Sequence, residues 1–273
     1  MADLVHLSQP ADGVGLLLID NPPKNFGSYE LLDAMFEGVG AARRAGNRVL
    51  VIASDVPGYL MAHAYLPDVL DAYEHPDRVQ YDPRLWRRLT DELEQGPMVT
   101  ISCNHAQAWG GGAEISWACN LRTAGESATY AQIESILGVI PGGGGTVRFA
   151  RLCGQSVAME LFLSGEPMTA PHLHRLGVVN RLYPDADLRS ATIDWAARIA
   201  TRPHRALLAN KRGILQTWDL GVEAATRLEN HLFNSTMRSE TIEIMRHVQA
   251  RYDQGADSWD AYDLPRPGEE AVS

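Results

Sequence analysis

The sequence is short of cysteine, of long apolar runs and of positive charge, and each shortage removes a class of protein. Cys103, Cys119 and Cys153 are an odd number spaced too widely for a CxxC pair, so neither a disulfide framework nor a thiolate metal site is predicted, and a reducing compartment is the simplest reading. No stretch approaches the ~20 apolar residues of a membrane span. The start, Met-Ala-Asp-Leu-Val-His, lacks the basic and apolar regions of a secretory signal and is too acidic for a transit peptide, so a cytoplasmic protein without a membrane partner is expected. A formal net charge of −10 argues against nucleic acid as a partner, because counterion release needs clustered Lys and Arg.

What remains is an ordinary globular composition over 273 residues, enough for one α/β core or for a core with a helical appendage. Val14 to Asp20 reads as a buried strand closed by the breaker Asn21-Pro22-Pro23. From Ser28, a plausible N-cap, Leu31, Leu32, Met35, Val39 and Ala42 recur at helical spacing until Gly46. Val49 to Ala53 reads as a second strand. Residues 67 to 83 read as a long loop or partly helical excursion, followed by a helix with Leu85, Trp86, Leu89 and Leu93 on one side. Val99 to Cys103, Leu121 to Ala124 and Thr129 to Ala131 are strand-like, with a helix from Ala113 to Ala118 between them. Strand and helix thus alternate, as in an α/β core. Beyond Pro141-Gly142-Gly143-Gly144-Gly145 the pattern is helical almost throughout. Tyr252 to Ser273, rich in Asp, Glu, Gly and Pro, reads as a loosely packed tail.

The chemistry-bearing residues cluster in the middle of the chain. Gly110 to Gly112, after a strand and before a helix, would let a ligand oxygen approach bare backbone N–H groups at the positive end of a helix dipole. Taken alone, the triplet serves equally well as a tight turn. Glu114 falls in the first helical turn, where the dipole favours its ionised form, and Glu134 follows twenty residues on. Two converging carboxylates could activate water and move protons, although spacing alone leaves each as an ordinary surface residue. His63 has the titration range of a general acid or base, with packing as the alternative; His105 reads as a structural histidine. His63, His105, Glu114 and Glu134 show no metal-ligand spacing, and no metal is predicted.

Gln107-Ala-Trp-Gly-Gly-Gly-Ala-Glu114-Ile, followed by Tyr130-Ala-Gln-Ile-Glu134-Ser-Ile-Leu-Gly-Val-Ile-Pro-Gly-Gly-Gly-Gly-Thr146, resembles the signature of the crotonase (enoyl-CoA hydratase/isomerase) superfamily. Val14 to Met35 is similar to that family's first strand, Asn-containing loop and helix, and Gly154 to Leu182 to its later L-x-G, A-x-x-A-x-x-x-G-x-V region. The resemblance covers residues 10 to 250. It implies an α/β fold, a crotonase-like ββα spiral core over residues 1–200 with a C-terminal helical cap or oligomerisation region over 201–252, and a loosely ordered tail over 253–273. It further implies a homotrimer or dimer of trimers. The ligand implied is an acyl-CoA thioester, with coenzyme A arriving as part of the substrate and no tightly bound cofactor.

By position, the backbone amides of Ala64 and Gly111 would hold the thioester oxygen. Glu114 and Glu134 would bind the water added at Cβ and deliver the proton at Cα. Ala62, His63, Tyr65, Leu66, Trp109, Gly110 and Gly142 would line the substrate. Lys24 and Lys211, the latter beside Arg212, would meet the coenzyme phosphates. The chain departs from the family pattern at two places: Ala62-His63-Ala64-Tyr65-Leu66 stands where the family usually has Ala-Gly-x-Asp-Leu, and His105-Ala106 where it usually has Asn-Gly. Hydration of a 2-enoyl-CoA is the expected reaction. Isomerisation, hydroxyacyl-CoA dehydration, β-dicarbonyl cleavage and a catalytically silent acyl-CoA-binding role are the alternatives.

Overall fold

The computed structural model describes residues 4–75, 77, 82 and 84–266. These form two compact units, divided after His204.

The first unit grows from strands buried on both faces. β2 (Val14–Ile19) and β3 (Val49–Ser54) are almost wholly apolar, β5 (Val99–Asn104) alternates Val, Ile and Cys with Thr, Ser and Asn, and every residue of β3 and β5 is buried, as in parallel strands covered on both sides. Together with β1 (Val5–Ala11), β7 (Leu121–Gly125) and β10 (Arg181–Tyr183) they make a six-stranded sheet of order β1-β2-β3-β5-β7-β10, parallel except for β1. A second sheet runs β4-β6-β8-β9, from β4 (Tyr59–Met61), β6 (Gln107–Trp109), β8 (Thr129–Ala131) and β9 (Met168–Thr169).

Successive turns of chain visit the first sheet, then the second, then a helix. β3 and β4 precede α2 (Leu66–Glu74) and α3 (Leu85–Gln95), β5 and β6 precede α4 (Gly111–Ala118), and β7 and β8 precede α5 (Gly145–Cys153). This is the repeated ββα spiral that the resemblance implied. The earliest turn is abbreviated. After β2 the chain adds no full strand to the second layer; an isolated parallel bridge joins Gly27 to Ala64, and the chain then enters α1 (Tyr29–Arg44). Ser28 caps that helix by accepting from the Leu31 amide at 3.2 Å, as its residue type led one to expect. Leu31, Leu32, Met35, Val39 and Ala42 are buried against Leu17, Ile52 and Leu89. A second cluster collects Trp117, Tyr130, Phe149 and Leu161.

The helices α6 (Gln155–Ser164), α7 (Ala170–Arg175) and α8 (Leu188–Ala200) complete this unit. The second unit holds α9 (His204–Thr217), α10 (Val222–Thr236), α11 (Ser239–Asp253) and α12 (Ser258–Ala261). No helix among the described residues is long and apolar enough to cross a membrane.

Of the two forms expected for the excursion over 67 to 83, the partly helical one is found: it begins as α2, with Pro67 in its first turn and none of its residues buried; residues 76, 78–81 and 83 lie outside the described residues. Other expectations need correction. β1, β4, β6, β9 and β10 escaped the periodicity reading, because two to three alternating residues carry too little pattern and β1 is mostly exposed. The segment expected to be a loose tail contains α12, where Asp257 accepts from the Asp260 amide and Ala261 is buried. Residues 267–273 of that tail lie outside the described residues.

Candidate active site

The site is assembled where β6 turns into α4. Gly110 takes φ +48, a conformation that strains any residue with a Cβ, and its amide donates to the Ala131 carbonyl at 2.8 Å. Its carbonyl accepts the first helical bond, from the Glu114 amide at 3.0 Å. The N–H groups at the start of α4 therefore have no acceptor within the helix. A Cβ on Gly111 would collide with the Trp86 indole, and a Cβ on Gly27 would lie 2.8 Å from the same ring. One indole thus packs against bare backbone on both the helix start and the loop before α1.

Ala64 is set by that loop. Gly27 donates to the His63 carbonyl at 2.8 Å and accepts from the Tyr65 amide at 3.0 Å, which is the hydrogen-bond pattern of a parallel bridge. Because the bridge uses residues 63 and 65, the Ala64 N–H points away from Gly27. The Lys24 carbonyl accepts from the Ala62 amide at 3.1 Å, extending the match. Buried Asn25 braces the loop, its Nδ2 donating to Ser54 Oγ at 2.7 Å and to the Leu60 carbonyl at 3.0 Å.

Gly110 is also where three site residues meet. A Cβ built on it would lie 3.2 Å from His63 Cβ and 3.4 Å from Glu134 Oε1. His63 and Glu134 therefore flank the same bare glycine. His63 Nδ1 lies 2.6 Å from the Ala64 carbonyl; a carbonyl only accepts, so Nδ1 carries the proton and Nε2 presents a lone pair when the ring is neutral. The ring packs on Phe26 at 4.9 Å between centroids, and Phe26 also contacts Tyr65 at 6.1 Å.

Glu114 is 4% exposed. Its Oε1 accepts from the Gly143 amide at 2.7 Å and the Gly145 amide at 2.9 Å, so the second glycine run wraps the carboxylate. Burial raises its pKa to about 7, against the pull of the Gly145 amide; the negative charge of Glu134 raises it further, while the Gly143 amide and Arg148 oppose. Position in the first helical turn favours the ionised form, as expected from the sequence, but burial outweighs the two amide donors and Arg148 and leaves the pKa raised. Burial also raises the Glu134 pKa, against its own backbone N–H. With the Gln132 amide oriented so that its oxygen accepts from the Trp117 indole at 3.2 Å, its nitrogen donates to Glu134 Oε2 at 3.0 Å and Oε1 at 3.2 Å.

The other expected residues divide. Tyr65 and Leu66 open α2 and are partly exposed at 39% and 36%. Trp109 ends β6, its indole donating to Thr129 Oγ1 at 3.1 Å. Gly142 is an exposed neighbour of Gly143. Lys24 is exposed in the loop beside the Ala62–Ala64 segment, its Nζ 5.7 Å from the Tyr59 ring. Lys211 and Arg212 lie on α9 in the second unit, where Arg212 Nε donates to Gln216 Oε1 at 2.9 Å. His105 Nε2 donates to the Val56 carbonyl at 3.2 Å and burial lowers its pKa, which is the behaviour of a structural histidine.

Sequence reasoning missed Gln132, Arg148 and the amides of Gly143 and Gly145. The position of Gln132, two residues before Glu134, was the available signal. The hold of the glycine run on Glu114 is a contact over 29 and 31 residues, which no local pattern announces.

The family model described as enoyl-CoA hydratase/isomerase matches residues 9–259. The chain is 34% identical to the mitochondrial enoyl-CoA hydratase of Pongo abelii over 54% of its own length and 50% of that protein's. It is 33% identical to the 2,3-dehydroadipyl-CoA hydratase of Escherichia coli (strain K12) over 58% of its own length and 60% of that protein's. These matches span only half to three fifths of the relatives' own length. Among solved structures, an enoyl-CoA hydratase from Geobacillus kaustophilus superposes with TM-score 0.81 and 26% identity, covering 93% of this chain and 95% of that one.

Proposed function

Since the chain belongs to the enoyl-CoA hydratase/isomerase family, we propose that it adds water reversibly to a 2-enoyl-CoA thioester through an enolate held by backbone amides. The observation that carries this reading is the pairing of two carboxylates of raised proton affinity, the buried Glu114 and the half-buried Glu134, about one glycine-bare helix start.

In this reading the thioester oxygen lies between the N–H groups of Ala64 and Gly111. One amide is freed by the Gly27 bridge and the other by its place at the head of α4. Donors fixed before the reaction stabilise the developing oxyanion without reorganising. Glu114 and Glu134 together bind the water that adds at Cβ and deliver the proton at Cα. A carboxyl group whose pKa lies near neutrality can both accept and return a proton within one cycle. Ala62, His63, Tyr65, Leu66, Trp109, Gly110 and Gly142 line the substrate, and Lys24 and Lys211 meet the coenzyme phosphates. Residues 201–252 serve as cap or oligomerisation region in a homotrimer or dimer of trimers.

A second reading is favoured by one observation: His63, in place of the usual glycine, stands beside Gly110 with Nε2 free to act as a base when neutral. It keeps the enolate and diverts it to isomerisation, dehydration or β-dicarbonyl cleavage. An acyl-CoA panel incubated in H2¹⁸O and read by mass spectrometry separates the two. Hydration adds one labelled oxygen at Cβ to a conjugated enoyl-CoA; a product of unchanged mass with a moved double bond, or a shortened acyl group, would replace the first reading with the second.

A further inference from the structure

We propose that Arg148 is the positioning residue for Glu114, acting through the glycine run that grips the carboxylate. This rests on the reading of Glu114 as a proton-handling residue.

The run Gly142-Gly143-Gly144-Gly145 has no side chains with which to hold a shape, yet two of its amides must converge on a single oxygen of Glu114. Arg148 supplies what the run lacks. Its Nη1 donates to the Gly143 carbonyl at 2.7 Å, and its own amide donates to the Gly144 carbonyl at 3.1 Å. Gly143 is thereby held from both ends, its N–H by Glu114 and its carbonyl by Arg148. Gly144 sits at φ +93, and a Cβ there would collide with the guanidinium. The run and the arginine therefore fit only with glycine at this point.

The guanidinium is in turn anchored on α3. Nη2 donates to Asp91 Oδ1 at 2.9 Å and to Glu94 Oε2 at 3.1 Å, and the side chain is only 10% exposed. A planar fork can reach a carbonyl on one side and two carboxylates on the other, which an ammonium cannot do in the same geometry. The chain of contacts runs from α3 through Arg148 and Gly143 to Glu114. The charged groups acting on Glu114 are Glu134 from the segment after β8 and Arg148 from α5, with Asp91 and Glu94 beyond the guanidinium and Arg87 paired to Asp91 at 3.3 Å.

Arg148→Gln removes both the cation and the fork; Arg148→Lys keeps the cation alone. The first readout does not depend on turnover. Thermal stability is followed from pH 5 to 9 for the parent and for Arg148→Gln, each with and without Glu114→Gln, so that the pH dependence belonging to Glu114 is isolated. The midpoint of that dependence is expected to move up by about one pH unit in Arg148→Gln and by less in Arg148→Lys. The second readout is turnover of crotonyl-CoA, where both variants are expected to lose between about 10- and 100-fold in kcat, with KM nearly unchanged. A midpoint that stays in place in Arg148→Gln and in Arg148→Lys overturns the proposal, even if both variants are less stable. A parent that binds acyl-CoA and turns over none of it overturns the hydratase reading instead, and leaves the stability readout to judge Arg148.

Discussion

The two carboxylates of the site sit in unlike surroundings. Glu114 is gripped by main-chain amides that a second loop folds over it, whereas Glu134 lies in a turn and meets the amide of one side chain, Gln132. Both are pushed toward the protonated form by burial, but their holds differ in kind. Backbone donors pinned by Arg148 fix an orientation; a side-chain donor backed by the Trp117 indole is more easily changed. The difference is between two backbone donors on one carboxylate and one side-chain donor on the other.

The comparison can be broken hardest by neutralising either member. Glu114→Gln and Glu134→Gln are each expected to lower kcat by about 10²- to 10⁴-fold, the usual worth of a positioned acid or base, with folding intact by circular dichroism.

A smaller loss should follow from Gly143→Ala. The new methyl would stand 2.9 Å from Glu114 Oε2 and 3.0 Å from its carboxyl carbon, so the carboxylate must move and the protein need not unfold. A drop in kcat of about 10²-fold is expected, beside a melting temperature close to that of the parent.

The electrostatic side of the comparison is read in stability. Folding raises the Glu114 pKa from 4.5 to about 7, so its contribution is fully present below the unfolded pKa and is lost as pH rises through the folded one. Removing the charge should remove that loss. Relative to the parent, Glu114→Gln is expected to gain on the order of 3 kcal/mol between pH 4.5 and pH 8, measured by urea unfolding at the two limits.

The gentlest change is Gln132→Ala, which takes from Glu134 its side-chain donor, leaves its own backbone N–H, and spares the grip on Glu114. About a 10-fold loss of kcat is expected, and the stability profile belonging to Glu114 should stay in place.

Much of the fold was legible because its strands and early helices bury continuous or periodic apolar faces, as β3, β5 and α1 do. The short strands of the second sheet were not, since three residues such as Tyr59–Met61 carry almost no periodicity and owe their conformation to the neighbours they pair with. The site was legible only in part. Gly110 to Gly112 and Glu114 announce a helix start with an acid in its first turn, and the wider motif marked Glu134. The bridge that turns the Ala64 N–H away from Gly27, the Trp86 ring against two glycines, and the loop that wraps Glu114 all join distant residues and leave no local trace. Nor could position within a helix reveal the raised pKa of Glu114, because its largest cause is burial, known only from the folded chain.

The most direct measurement is hydration of crotonyl-CoA by the parent protein and by Glu134→Gln, followed by loss of the conjugated thioester absorbance while acyl-CoA binding is measured in parallel. Water addition by the parent that disappears in the variant, with binding retained in both, is the predicted result. A folded parent that binds the thioester and leaves its absorbance unchanged, or a variant as active as the parent, would contradict the account.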